Sequence, residues 1–421
     1  MSTILPHPSK AITPPQECTG CALCANVCAH HAIRMEWNTE GFLVPEVNSE
    51  ACINCGACVK ACPAQPEHLH KLRSTTPAAA TATAYGAWHR NKEEHLNSSS
   101  GGILGALAEH TFVQGGCVFG VVWVSKNTAA YTKAESMDEL AAMRGSKYTQ
   151  AIPGDVYRQV KHELKQGRHV LFCGTSCQVY ALKRYLRKEY ENLLLVDILC
   201  HGVPSRLLLQ SYIEEYEKQE GKEITAIQFR DKAGDWQRYH VRKFYTDGTS
   251  SSDCTETDMF MRLFIGDFVL NKACYNCPHA RFPRVGDISL GDFWGDLHKL
   301  HPEWPIQDGI SSILGNTEKG RSQLAAIQDA GLIELRKVPM EQLIQGQPFT
   351  YLRENEPLPP QRQLVLAKLK QQRLSRIYKR YHLQEKCGPL YLTKGGRLQR
   401  LYYRLRTLKH RIMAILHRQQ A

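Results

Sequence analysis

Val170 to Cys200 reads VLFCGTSCQVYALKRYLRKEYENLLLVDILC. Val170 to Cys173 is a short apolar run of strand length, and Leu193 to Leu199 is a second one. Between them, Val179, Leu182, Tyr185 and Leu186 fall on one face of a helix over Gln178 to Tyr190. Strand, helix and strand within about thirty residues make a βαβ unit, which predicts that the two strands run parallel. Cys173 and Cys177 then stand at or just past the end of one strand, and Cys200 just past the end of the other. Open α/β sheets hold their ligands at the carboxyl ends of parallel strands, so these cysteines are placed for chemistry.

A second cysteine pattern lies near the start of the chain. Cys18, Cys21, Cys24 and Cys28 recur 34 residues later as Cys52, Cys55, Cys58 and Cys62. Cys-x2-Cys-x2-Cys lets one loop wrap three corners of a four-iron cubane while a distant cysteine closes the fourth. The doubled run is the bacterial ferredoxin pattern, in which the two halves exchange their fourth ligand. It assigns Cys18, Cys21, Cys24 and Cys62 to one [4Fe–4S] cluster, and Cys52, Cys55, Cys58 and Cys28 to the other. Pro63 follows Cys62 as the pattern asks, whereas Ala29 replaces the proline after Cys28. Four-cysteine zinc sites would use the same ligand types, but the doubled register favours iron. Between the halves, Ile33, Met35 and Trp37 alternate with polar residues, and Asn38 to Gly41 offers a turn before Phe42 and Val44, a predicted hairpin.

Eight further cysteines are present. Cys274 and Cys277 form a two-residue-spaced pair on a loop. By geometry alone, a third site built from Cys177, Cys200, Cys274 and Cys277 weighs evenly against free cysteines serving as small core residues. Cys117, Cys254 and Cys387 are expected to be dispensable for iron. His201 and His279 neighbour cysteines at no ligand spacing and receive no role.

At 421 residues the chain is too long for one ordinary core. The reading divides it into a ferredoxin-like domain over 1–70, a linker over 71–84 (KLRSTTPAAATATA from Lys71), a mixed α/β domain in two parts over 85–165 and 166–340, and a helical basic tail over 341–421. The fold class expected is α+β or mixed α/β, with the ferredoxin-like domain ahead of a larger mixed sheet. Val118 to Val124 is a further buried strand, and Ile224 begins another that ends at Phe229-Arg230-Asp231-Lys232. Trp236 beyond it either stacks on a ligand ring or fills the core.

The net charge of +12 resolves into +15 from Gln361 onward and −3 before it, so no basic face of a nucleic-acid binder is expected. From Arg397, Leu398, Leu401, Tyr402, Leu405, Leu408, Ile412, Ile415 and Leu416 recur mostly at helical steps among arginines. This pattern suits an interfacial helix on an anionic membrane surface or an acidic partner, and equally a terminal helix packed on the body. Met1 to Lys10 lacks a basic start with an apolar stretch, and no apolar run approaches the roughly 18 residues of a membrane span. Sixteen cysteines at short spacings then indicate a reducing compartment, and the expected location is the cytoplasm, with peripheral contact at the inner membrane face through the tail.

Several motifs in order resemble one family: Ser99 to Gly102 (SSGG), Gly145 to Tyr148 (GSKY), Cys173 to Gln178 (CGTSCQ), Asp197 to Ser205 (DILCHGVPS), Phe229 to Lys232 (FRDK), Gly286 to Gly295 (GDISLGDFWG), and Gly309 to Ser311 with Asn316-Thr317 and Lys319-Gly320. Over Tyr85 to Gly320 the chain resembles the coenzyme F420 hydrogenase/dehydrogenase beta subunit family, here with a fused ferredoxin. The resemblance implies FAD and a [4Fe–4S] cluster, which raises the weight of the third site, and a hydride acceptor such as coenzyme F420 or another reducible small molecule. It directs FAD to Ser100, Gly101, Gly102, Lys147, Tyr148 and Thr175. From the residues alone, Ser98 to Gly102 is a serine-capped, glycine-rich helix start with free N–H groups for a phosphate, although capping is the more frequent use. Lys147 suits a pyrophosphate or plain solvent. Ser176 stands where the family commonly has proline, which leaves the turn before Cys177 less rigid.

The function expected is an iron–sulfur flavoprotein oxidoreductase that draws on a redox partner or ferredoxin-type donor, in either direction, with its catalytic residues unassigned. The alternatives are a non-catalytic electron-transfer subunit that docks on a partner enzyme, and a structural metal protein without redox work.

Overall fold

The computed structural model describes residues 12–74, 82–232, 236–347, 353 and 356–380. Cys387 and the amphipathic pattern from Arg397 lie outside the described residues. In the N-terminal module, α1 (Leu23–Val27) and α2 (Ala57–Ala61) each follow two of the repeated cysteines and carry the third, and β1 (Ile33–Trp37) pairs antiparallel with β2 (Leu43–Val47). The hairpin turns where Asn38 Oδ1 accepts the N–H groups of Glu40 at 2.9 Å and Phe42 at 3.0 Å. Helix α3 (Pro66–Ser74) runs into the stretch read as a linker, and β3 (Thr83–His89) starts inside its other end.

The body is built on eight strands in the order β13-β3-β12-β11-β7-β6-β4-β5, with β4 (Cys117–Ser125), β5 (Thr128–Ala134), β6 (Val170–Thr175), β7 (Leu193–Ile198), β11 (Ile288–Asp292), β12 (Ser311–Gly315) and β13 (Ile333–Lys337). Four strands, β4, β6, β7 and β11, are mutually parallel, and antiparallel strands finish both edges. Successive strand residues point to opposite faces. Val118, Leu171 and Val196 therefore meet Ile103 and Leu107 of one helix layer, while Phe119, Phe172 and Leu195 meet Tyr157, Val179 and Leu182 of the other. The helices of this body are α4 (Lys92–Asn97), α5 (Ile103–Val113), α6 (Met137–Ala141), α7 (Val156–Lys165) and α8 (Ser176–Leu186), with Glu318–Asp329 beside α5. The βαβ unit is β6-α8-β7, paired from Val170↔Leu193 to Thr175↔Ile198.

A smaller antiparallel sheet, β10-β9-β8, comprises β8 (Ile224–Asp231), β9 (His240–Tyr245) and β10 (Ser250–Cys254). It packs with α9 (Arg206–Glu220), α10 (Met259–Ile265) and the helices Arg362–Leu369 and Leu374–Arg380 around Leu208, Tyr212, Phe229 and Phe260. These last two helices fall within the stretch expected to be a tail, but they belong to the body. Leu366, Leu369, Leu374 and Ile377 are buried, and burial of such side chains stabilises by about 1.5–3 kcal/mol each. Trp236 is a core residue, stacked on Trp294 with ring centroids 5.0 Å apart.

The module is clamped to the body by long polar side chains acting on its backbone. Gln150 Oε1 accepts Leu43 N–H at 2.8 Å, Tyr157 donates to Cys21 O at 2.8 Å, and Arg158 reaches Asn26 O at 3.0 Å and Cys28 O at 2.7 Å. Arg184 of α8 donates to Ala61 O at 2.8 Å, and the buried Arg362 bonds Glu40 at 2.8 Å.

Candidate functional site

All fifteen described cysteines are free thiols. Cys18, Cys21, Cys24 and Cys62 line one small apolar cavity with Ile12, Thr13 and Pro63, so the structure gathers the three cysteines of the first loop with the distant Cys62. Burial pushes the Cys18 thiol up to about 11, and the nearby thiols of Cys62 and Cys177 add to the rise. Cys58 has its thiol raised by burial and by Cys52 and Cys55, and Cys28 packs against the same small core as Cys58. The two sets differ in depth: Cys24 and Cys62 are buried, whereas Cys55 is exposed and neighbouring Ile53 is 61% exposed.

At the carboxyl ends of β6 and β7, Cys177 and Cys200 meet Cys274 and Cys277. Burial pushes the thiol of Cys177 up to about 11 and that of Cys200 up to about 12, and each feels Cys277. Cys274 is raised by burial and by Cys200, Cys277 and Cys177, while Val203 N–H points at its sulfur from 3.4 Å. The four cysteines are half-buried, and as thiolates they would repel one another unless a cation lay between them. Among the described residues, no three His, Cys, Asp or Glu side chains close on a single ion. A cubane makes no such demand, because each thiolate binds its own iron, and both the ferredoxin sets and this third set fit that donor chemistry. Arg353, 2% exposed, supplies a fixed positive charge beside Cys200, and its guanidinium also donates to His201 O at 2.6 Å.

Cys177 and Cys200 also line a cavity of about 360 Å³ that opens between α5, the segment from Met143 to Ala151 and the strand ends. This is the size range of small-molecule sites. Of the residues directed to FAD, Ser100, Gly102, Lys147, Tyr148 and Thr175 line it. Gly101 does not: its N–H donates to Ser311 Oγ at 2.9 Å, and a Cβ on it would lie 2.2 Å from Ala87 O. Helix α5 has no serine cap, since Gly102 at φ +84° is its N-cap and no side chain bonds there. Its first amides therefore face the cavity region without a side-chain partner, an anion-binding arrangement. Lys147 turns its ammonium onto the carbonyls of Met143, Arg144 and Gly145 at 2.9, 2.8 and 3.1 Å, and burial lowers its pKa to about 8. Tyr148 packs edge-on against Phe229.

Ser176 is held more firmly than its departure from proline suggests. Its hydroxyl donates to the buried Asp197 at 2.6 Å and accepts from Arg284 at 2.8 Å. Other wall residues received no role from the sequence. Asp292 and Gln178 lie inside the quoted motifs and could have been found there, whereas Tyr131, Arg144 and Gln150 come from segments with no local signal. His201 lines the same wall and pairs with Asp267 at 2.8 Å. Cys117 is core, Cys254 ends β10, and Cys173 faces the cavity. No described helix is long and apolar enough to cross a membrane.

Residues 84–155 match the N-terminal family of the coenzyme F420 hydrogenase/dehydrogenase beta subunit, and residues 167–341 match the family of its C terminus, together more than half of the chain. Residues 17–65 match a 4Fe-4S dicluster domain. Ferredoxin-type protein NapF of Haemophilus influenzae is 38% identical over 53 residues, which is 13% of this chain and 30% of NapF, so the match spans under a third of that relative. Among solved structures, a xenon derivative of the F420-reducing [NiFe] hydrogenase complex from Methanosarcina barkeri aligns with 75% of this chain and 95% of its own, at 16% identity and a TM-score of 0.45.

Proposed function

Because the chain belongs to the coenzyme F420 hydrogenase/dehydrogenase beta subunit family and carries a 4Fe–4S dicluster domain, we propose that it is an oxidoreductase joining one-electron carriers to a hydride acceptor. The observation that carries the reading is the placement of Cys177, whose thiol neighbours Cys18 and Cys21 on one side and lines the large cavity on the other. Cys177, Cys200, Cys274 and Cys277 would hold a third four-iron cluster there. FAD would lie in the cavity, its phosphates toward the amides of α5 near Ser100 and Gly102. When bound, it would supply hydride chemistry on one side and single-electron exchange on the other.

The chain's own residues supply position and exclusion. Ser176, Asp197 and Arg284 fix the turn that carries Cys177, and Gln150 holds Thr19, next to Cys18, at the cavity edge. The order from surface to cavity is the exposed Cys55 set, the buried Cys18 set and the Cys177 set, which suits a donor protein outside and a small acceptor such as coenzyme F420 within. The tail would bring the protein to an acidic partner or to the inner face of the cytoplasmic membrane.

Anaerobic purification followed by assay of iron, sulfide and heat-released flavin tests the reading. About twelve iron atoms and one FAD per chain, with turnover of a hydride acceptor, are expected. Reducible iron without any acceptor turnover would leave a non-catalytic electron-transfer subunit in its place.

A further inference from the structure

One hydroxyl hydrogen beside the third thiol set has two acceptors within reach. Thr175 Oγ1 lies 2.8 Å from Gln178 Oε1 and 3.1 Å from Cys177 Sγ. Two other donors already converge on Gln178 Oε1. The Thr175 backbone N–H reaches it at 3.1 Å, as part of the capping box that opens α8, and the Tyr131 hydroxyl reaches it at 2.8 Å. A carbonyl oxygen has two lone pairs, so these two donors fill it. The backbone N–H also settles which end of the amide faces the turn, because the amide nitrogen accepts nothing. The Thr175 hydrogen is left for the sulfur.

The surroundings are built to keep Tyr131 there. It stands on β5, stacks on Phe172 with ring centroids 5.3 Å apart and planes 4° off parallel, and touches the strand end where Gly174 has no side chain. A Cβ at Gly174 would come within 2.2 Å of the Tyr131 hydroxyl. Burial holds the phenol's pKa well above that of an exposed tyrosine, so it stays a donor.

We propose that Tyr131, by occupying Gln178, aims the Thr175 hydroxyl at the sulfur of Cys177 and thereby raises the reduction potential of the cluster held there. The inference rests on the reading of Cys177, Cys200, Cys274 and Cys277 as ligands. Hydrogen bonds to ligand sulfurs are one of the levers on iron–sulfur potentials, and a donor favours the more negative reduced state. Thr175 and Tyr131 are thus positioning residues, and Thr175 serves the metal rather than the flavin.

The test uses full-length protein reconstituted anaerobically, with iron assay and an electron paramagnetic resonance titration of potential. Thr175→Val and Tyr131→Phe should each keep about twelve irons and lower the potential of one cluster of the three. The expected size is about tenfold in the reduction equilibrium, or about 59 mV for one electron. Thr175→Ser should restore the wild-type value. Tyr131→Phe with Thr175→Val should fall no further than Thr175→Val alone, since both remove the same bond. An unchanged potential in Thr175→Val, an additive double variant, or iron loss in Thr175→Val would each overturn the inference. Wild-type protein with only about eight irons would overturn it together with the ligand reading beneath it.

Discussion

Ser176 donates its hydroxyl to the carboxylate of Asp197 across 2.6 Å, one residue before Cys177 and inside a site where Asp197 and Arg284 are both closed to solvent. Asp197 also accepts from Ser289 at 2.6 Å and Gly286 N–H at 3.2 Å, so four donors surround one buried carboxylate. The family's proline would fix this turn through its ring, and here a hydrogen-bonded ion pair does so.

Ser176→Ala should lower stability by about 1.5–3 kcal/mol, the cost of a lost hydrogen bond to charged partners. Asp197→Ala, which strands the Arg284 guanidinium in the interior, should cost about 3–5 kcal/mol. Urea midpoints measure both, and equal midpoints for Ser176→Ala and the parent chain would show that the hydroxyl does not hold the turn.

Replacing Cys274 and Cys277 together with serine should remove about one third of the iron while the ferredoxin-type signals persist. Iron and sulfide assays with low-temperature spectra make the comparison. Undiminished iron would mean that these thiols hold none.

Flavin binding at α5 is best probed at Gly105, because Gly102 sits at φ +84° and any side chain there is strained for reasons unrelated to a ligand. A Cβ on Gly105 meets nothing closer than Glu94 Oε2 at 3.5 Å. Gly105→Ala should retain the flavin and stabilise α5 by about 0.5–1 kcal/mol. Gly105→Asp, which puts a negative charge on the cavity wall near the helix start, should release it. Flavin freed by heating, counted per chain, distinguishes them, and full retention in Gly105→Asp would move the phosphates elsewhere.

Ile53, 61% exposed on the loop of the outer thiol set, marks the surface where a donor protein would come closest. Ile53→Glu should slow reduction by a reduced ferredoxin several-fold while reduction by dithionite keeps its rate. Stopped-flow bleaching reads both rates, and identical slowing with both reductants would point to a damaged cluster.

How far the sequence reveals this molecule depends on how local the deciding forces are. The βαβ unit is legible because Val170 to Phe172 and Leu193 to Val196 are buried on both faces, which makes them continuous apolar runs. The helices over 362–380 pass for a solvated tail when charge is counted and periodicity is not, although Leu366, Leu369, Leu374 and Ile377 carry the helical spacing of a buried face. The serine cap fails for a different reason. Ser98 spends its hydroxyl locally on Glu94 O, four residues back, and Ser100 spends its own on Ile310 O, a partner that only the folded chain brings near. Gln150 binding Leu43 and Thr19 is likewise invisible locally, since those partners are more than a hundred residues away.

Helix α8 carries Cys177 in its first turn and Arg184 two turns on, where the guanidinium grips Ala61 O next to Cys62. Seven residues of α-helix make a strut of about 10 Å. The same rigid element thus touches both thiol sets, and their spacing is set by helix geometry rather than by a loop. Were clusters held at both sets, an electron passing between them would cross a gap fixed within one chain, and its rate should be nearly indifferent to solvent viscosity and to dilution.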